Sequence, residues 1–468
     1  MAGYAAGLCF SLASVPFVTR HLGPGQYGYF GTVSAIVFII AGFTEAGLTT
    51  LAMREYADQE VTDRSSLLGN LIGLRVTATA TAILLATLAA ALIGSPRAIT
   101  LGLLVAGAGL IVTIIAESFL IPLFVDLRIP AVSLLDTTRL GVLAATSVGL
   151  VLLGAGVVPI LGATIVSGSA LLVATLIVLR RGVKVRVCFD LTVWRHLLAR
   201  TLPYAVATAV GIVYFREALI LISYLSTNRQ AGYYAVAFRI VEVLTNVPWM
   251  IVTAGFPILA RAASSDLARL RYALQRLFEV ALLLGSWMSL SVFVGAPVGI
   301  AVIGGPSFHE AVAVLQIQGF AMVTSFLAAT FGYTLLSLQL YRRLLWSNAA
   351  AVTVATVVAV LLIPAHGARG AAIAPTAAEA VLAVAYAVSL ARHSRALRVS
   401  LGLVPRIALA TAAGAGAAYA ITNSSALRIV IETVVFFAVA YAVRAVPFEL
   451  WHALRRRGPG EGQTGTAS

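Results

Sequence analysis

Apolar runs of about twenty residues follow one another along almost the whole chain, each cut short by a glycine- or proline-bearing break. A helix of that length crosses about 30 Å of hydrocarbon. Inside hydrocarbon every backbone polar group needs an internal partner, so only helices and closed barrels span it. Barrel strands would show ten-residue alternation, which these runs lack. Of 468 residues, 60% are hydrophobic and 11% charged, against roughly 25% charged in a soluble domain. The predicted fold class is an all-α polytopic membrane protein.

About fourteen spans are predicted: 2–19, 28–52, 68–93, 99–124, 131–153, 157–179, 202–225, 232–259, 277–303, 311–337, 345–363, 369–391, 405–421 and 428–448. Basic residues counted by alternate loops favour one side by about four to one, which puts both termini in the cytoplasm. Loop placement also explains the net charge of +14, so nucleic-acid binding is not expected. Cys9 and Cys188 fall in a span and in a basic loop, which argues against a disulfide. No histidine has a second ligand at metal-binding spacing, so neither metal nor cofactor is expected. Arg20 is the first charge, so no signal peptide is read. The first span starts at Ala2 without a polar flank, and further residues upstream are expected.

The chain repeats itself. Pro16 to Glu55 holds two apolar segments around Gly23-Pro24-Gly25, and Ile222 to Ala260 is a weaker copy. In the copy, Leu225, Gly232 and Tyr233-Tyr234 replay Leu22, Gly28 and Tyr29-Phe30. Phe119 to Asp136 aligns with Phe331 to Asn348, and Gly154 to Val178 with Gly367 to Ala391, at an offset near 212 residues. Six crossings return the chain to its starting side, so the halves form a parallel repeat, a plan typical of transporters. The expected organisation is an N-terminal six-helix lobe (1–179), a basic cytoplasmic linker (180–201) and a C-terminal six-helix lobe (202–391). An extra helix pair (405–448) and a disordered polar tail (455–468) complete it. Within the linker, Asp190 is a candidate N-cap for an amphipathic helix bearing Leu191, Trp194, Leu197 and Leu198, expected to lie on anionic membrane lipid.

Thr19 to Phe30 (TRHLGPGQYGYF), Phe43 to Leu48 (FTEAGL) and Tyr214 to Glu242 (YFREALILISYLSTNRQAGYYAVAFRIVE) resemble Wzx-type polysaccharide flippases of the multidrug/oligosaccharidyl-lipid/polysaccharide (MOP) exporter superfamily. The resemblance covers the chain to about residue 450. It implies an undecaprenyl-pyrophosphate-linked oligosaccharide as cargo, alternating access around a central cationic cavity, and a proton or sodium gradient as driving force. A polysaccharide polymerase is an implied partner, and no enzymatic activity is implied.

Charges within a bilayer are costly and need a reason. Asp136 and Arg139, like Arg239 and Glu242, are three residues apart and share a helical face, so each pair can neutralise itself. Arg216 and Glu217 are adjacent and point about 100° apart, so they cannot face one another along one stripe. Arg75 has no acid and Glu45 no base at helical spacing, which makes both candidates to line a cleft. An arginine fork binds phosphate oxygens bidentately and stays charged. Arg75, Arg139, Arg216 and Arg239 are therefore the candidates for the pyrophosphate, and Glu45, Glu217 and Glu242 those for ion coupling. A cation-coupled drug exporter of the same superfamily would present acids and aromatics without matching arginines. A membrane glycosyltransferase or polymerase would need a catalytic site in a long extramembrane loop, and the outer loops here are mostly about ten residues or shorter.

Overall fold

A computed structural model of the chain describes residues 2–45, 47–58, 61–179 and 188–445. Residues 180–187 of the expected linker and the tail from 455 lie outside the described residues. Among the described residues the chain forms helices and no strand, as predicted. They are α1 (Ala2–Glu45), α2 (Leu48–Asp58), α3 (Val61–Leu92), α4 (Arg97–Ser118), α5 (Ile121–Val125), α6 (Ile129–Leu152), α7 (Val157–Leu179) and α8 (Leu191–Leu225). There follow α9 (Asn228–Leu244), α10 (Asn246–Ser265), α11 (Leu267–Ile303), α12 (Ala311–Ser337), α13 (Tyr341–His366), α14 (Ala368–His393), α15 (Val404–Ile421) and α16 (Ser425–Ala442). Among the described residues, eleven stretches are long and apolar enough to cross a membrane. The first of them, Ala13–Asp58, takes in parts of two expected spans, and α8 and α9–α10 cover the expected spans 202–225 and 232–259.

The breaks follow backbone chemistry. Gly23 (φ 65, ψ 174) interrupts α1, so residues 2–22 and 24–45 are separate helical segments. Pro24 opens the second segment, where its missing N–H costs no hydrogen bond. The span expected over 28–52 instead stops at Glu45. Gly47 takes φ 81, a left-handed conformation that glycine reaches without penalty, and α2 restarts beyond it. The expected amphipathic linker helix is also not separate. Asp190 caps α8, accepting from the Thr192 N–H at 2.8 Å, and α8 then runs without interruption through the next span. Leu197 is buried with Leu67, Leu68 and Leu71 of α3, whereas Leu191 and Leu198 are exposed.

The repeat reappears in the backbone. Gly94 and Gly305 both take φ near 75°, at 75 and 73; Leu127 and Gln339 take 56 and 57; Gly154 and Gly367 take 73 and 54. Leu127 and Gln339 cap their helices alike: Arg128 N–H donates to Leu123 O at 2.9 Å, and Leu340 N–H to Leu335 O at 3.0 Å. This six-to-one bond satisfies a carbonyl that the helix end would otherwise strand.

The chain forms two compact units. One comprises residues 1–240, 297–318 and 348–378; the other comprises 241–296, 319–347 and 379–468. Each draws on more than one stretch of sequence, and the first includes residues from both expected lobes. Within the first, α4 and α7 approach closely through small residues. A Cβ on Gly109 would lie 2.1 Å from Thr164 Oγ1, and one on Gly168 would lie 2.8 Å from Thr113 Oγ1. Such contacts let van der Waals packing drive association where lipid supplies no hydrophobic effect. Within the second, fully buried Glu432 of α16 accepts from Ser291 Oγ of α11 at 2.5 Å, and Trp287 Nε1 donates to Thr433 Oγ1 at 3.2 Å. These bonds fasten the extra helix pair.

Candidate functional site

Most of the described intramembrane charges of the first unit gather in two clusters. The first is built on α1, α2, α3 and α4. Arg75 of α3 is only 1% exposed, and its Nη2 donates to Glu45 Oε2 at 2.6 Å. The same nitrogen reaches Glu117 Oε2 of α4 at 3.5 Å. Its Nη1 approaches Thr49 Oγ1 and Ser118 Oγ, both at 3.4 Å, and Thr49 Oγ1 donates to Glu45 Oε2 at 2.8 Å. The two carboxylate side chains keep 40% and 43% exposure. One buried guanidinium thus sits behind two partly exposed carboxylates.

Beside this cluster, α6 carries an internally paired couple. Arg139 donates to Asp136 Oδ1 from Nε at 3.0 Å and from Nη2 at 2.7 Å. The pairing expected from their spacing is present. Arg139 also acts on Glu117 electrostatically.

The second cluster is built on α1, α8, α9 and α13. The Arg216 guanidinium lies over the Phe38 ring at 4.2 Å, with Phe238 at 5.1 Å and Phe215 at 5.8 Å. A cation over an aromatic face is attracted by the ring quadrupole, and more strongly when desolvated. Arg216 is 8% exposed. Glu217 points elsewhere, as adjacency on a helix requires, and accepts from Thr356 Oγ1 of α13 at 3.0 Å. Among the described residues its Oε1 is buried without a hydrogen-bond partner. Tyr234, fully buried, stacks on Phe238 with centroids 5.9 Å apart.

Phe38 and Glu45 tie the clusters together through α1. Seven residues separate them, which is two turns on one helical face, about 10.5 Å along the axis. Between them Gly42 admits α8, since a Cβ there would lie 2.4 Å from Ile212 Cδ1. Arg216 stands one turn beyond Ile212 on the same face of α8.

Of the seven candidates, Glu45, Arg75 and Arg139 stand in or beside the first cluster, and Arg216 and Glu217 in the second. Arg239 and Glu242 lie half-buried on α9. Two expectations are corrected. Glu45 and Arg75 are each other's partners across a helix interface, so neither is an isolated charge. Arg75 is also covered, where cleft exposure was expected of it. Helical spacing within one span could not reveal a pair whose members are 30 residues apart. Glu117, Thr49, Ser118, Phe38 and Thr356 were not singled out as site residues. Only Glu117 carried a signal, as an acid inside a span.

A family model described as "Polysaccharide biosynthesis protein" matches residues 3–263. Comparison with curated proteins gave no match. Among solved structures, one described as "Lipid II flippase MurJ, inward closed conformation" aligns with a TM-score of 0.76 and 12% identity, covering 97% of this chain and 98% of that chain. An "inward-facing conformation of a multidrug resistance MATE family transporter of the MOP superfamily" aligns with a TM-score of 0.65 and 14% identity, over 83% of this chain and 94% of that one. An outward-facing MATE structure, also of the MOP superfamily, gives 0.52 at 14% identity, over 85% and 94%. The chain belongs to the polysaccharide biosynthesis protein family and has the fold of MOP-superfamily transporters.

Proposed function

We propose that this protein moves an undecaprenyl-pyrophosphate-linked oligosaccharide from the cytoplasmic to the outer leaflet of the inner membrane, by alternating access and without chemical conversion of the cargo. The observation that carries the reading is the Glu45–Arg75–Glu117 cluster: a buried guanidinium held by two partly exposed carboxylates. The family and the lipid-flippase fold agree with it.

With both carboxylates ionised, Arg75 is locked and the cluster bears one net negative charge. A proton or sodium ion on Glu45 or Glu117 weakens that hold, because the guanidinium then faces a neutral or shared oxygen. Arg75 is released toward phosphate only in that state, which couples ion entry to cargo binding. Arg139, Arg216 and Arg239 are the remaining cationic candidates for the pyrophosphate, and Glu217 and Glu242 the remaining coupling acids. Arg216 is the best prepared of these arginines, because its aromatic surroundings offset part of its desolvation. Both termini are read as cytoplasmic, and membrane lipids and a polysaccharide polymerase as partners.

The test uses cells lacking the gene, with undecaprenyl lipids analysed by mass spectrometry and surface polysaccharide probed directly. Lipid-linked repeat units should accumulate while surface polymer disappears. Normal lipids and polymer with altered drug sensitivity would replace this reading with cation-coupled drug export. Accumulated peptidoglycan precursor would change the cargo.

A further inference from the structure

The two hairpin copies read from the sequence meet within the first unit, and they meet backbone to backbone. A Cβ on Gly28 would lie 2.0 Å from Asn228 O, and one on Gly232 would lie 1.9 Å from Pro24 O. Ordinary van der Waals contact begins at 3.4 Å. Gly28 and Gly232 are the residues that the repeat makes equivalent, so each copy inserts its glycine against the carbonyl of the other. One turn further on, a Cβ on Gly31 would lie 2.9 Å from Ala235 Cβ.

Weaker contacts surround this crossing. Phe308 is fully buried, with Tyr27 of one copy at 6.0 Å and Tyr233 of the other at 6.2 Å, both edge-on. Asn228 Nδ2 donates to Tyr29 Oη at 3.1 Å. Arg20 donates to the carbonyls of Ala301 at 3.0 Å and Val302 at 2.7 Å, and Thr19 Oγ1 bonds Ile303 O. Gln230 Oε1 accepts from the Ala368 N–H at 2.9 Å. Neither an ion pair nor a disulfide between the copies appears among these contacts. They are hydrogen bonds and edge-on rings, each weak on its own. Close packing at two glycines joins many weak contacts into one fit that is lost together, since packed interfaces do not deform continuously.

We propose that this crossing is a latch of reciprocal glycines: it shuts the Gly23 end of the first unit because neither Gly28 nor Gly232 bears a side chain, and it parts during each transport cycle. The proposal rests on the transport reading for its purpose, but its test needs no knowledge of the cargo.

The full chain, with Cys9→Ser and Cys188→Ser, is reconstituted in nanodiscs with Thr32→Cys as reporter. Thr32 is 0% exposed, one turn below Gly28. Its reaction with a water-soluble maleimide reads how often the crossing is parted. Gly28→Ala and Gly232→Ala should each raise the labelling rate on the order of tenfold, with monodisperse elution retained. Gly25→Ala should leave the rate unchanged, since a Cβ there meets nothing within 4 Å. Unchanged labelling in folded Gly28→Ala and Gly232→Ala proteins would overturn the latch. If the alanine variants fail to fold, a second measurement decides. Tyr29→Cys and Asn228→Cys, otherwise glycine-intact, are tethered by a short bismaleimide and followed by hydrogen exchange over residues 28–35. The tether should slow exchange about tenfold or more; equal rates with and without it would mean that the crossing is static packing.

Discussion

Arg75→Met keeps the unbranched stem of the side chain and removes the guanidinium with its charge, leaving Glu45 and Glu117 without their shared cation. Removing one partner of a buried ion pair costs about 3–5 kcal/mol, because the other charge is stranded. Here the stranded carboxylates keep 40% and 43% exposure, so water solvates part of what is left. The expected loss is therefore at the low end, about 3 kcal/mol. A double-mutant cycle with Glu45→Gln should show a coupling of about 1–3 kcal/mol. The cycle with Glu117→Gln should show less, since its contact is 3.5 Å against 2.6 Å. Arg75→Lys should fall between, because a single ammonium cannot serve two carboxylates and two hydroxyls as a planar fork does. The assay is denaturant unfolding of the purified protein in mixed micelles, with membrane insertion checked separately. In cells, Arg75→Met should insert but fail to support surface polymer. If Arg75→Met is as stable as the parent, or the Glu45 cycle is additive, Arg75 is not held as described and the coupling reading falls with it.

Two further outcomes are expected. In a cycle of Phe38→Leu and Arg216→Met, the coupling should reach about 1–2 kcal/mol, the worth of a desolvated cation over a ring; additivity in the unfolding midpoints would mean that the stacking carries no energy. Asp190 carries a pH signature, because the Thr192 N–H holds its carboxyl below the ordinary carboxylate range. The cap's contribution is thus complete above about pH 3.9 and fades as pH falls through the lower folded value. Protection factors at the first turn of α8, with the intrinsic exchange rate at each pH divided out, should fall on acidification in the parent and stay level in Asp190→Asn.

Much of this architecture was legible because membrane spans and their breaks are local properties. Gly94, Gly154, Gly305 and Gly367 stand where the chain must reverse, and the offset near 212 residues between the halves returns as matched turns. Asp190 and the Asp136–Arg139 pair were readable for the same reason, since cap and partner lie within one turn of each other. Leu127 and Gln339 were not, as nothing about a leucine or a glutamine advertises a left-handed cap. The Glu45–Arg75–Glu117 cluster was hidden by distance along the chain. Which faces of α1, α3 and α4 turn toward each other is decided by packing, and a uniformly apolar span carries no amphipathic stripe to announce it. For the same reason Phe38 read as one apolar residue among many.

The caps also fix how much bilayer each helix can span. α13 and α14 have 26 residues each, about 39 Å of helix, against a hydrocarbon core of about 30 Å. α15 and α16 have 18 each, about 27 Å. The long helices meet the excess by tilting or by extending into the headgroups, but a short one must draw the leaflets inward. Hydrophobic mismatch is thus concentrated at α15 and α16. Thin membranes accommodate these two helices without strain, and thick, ordered ones resist them.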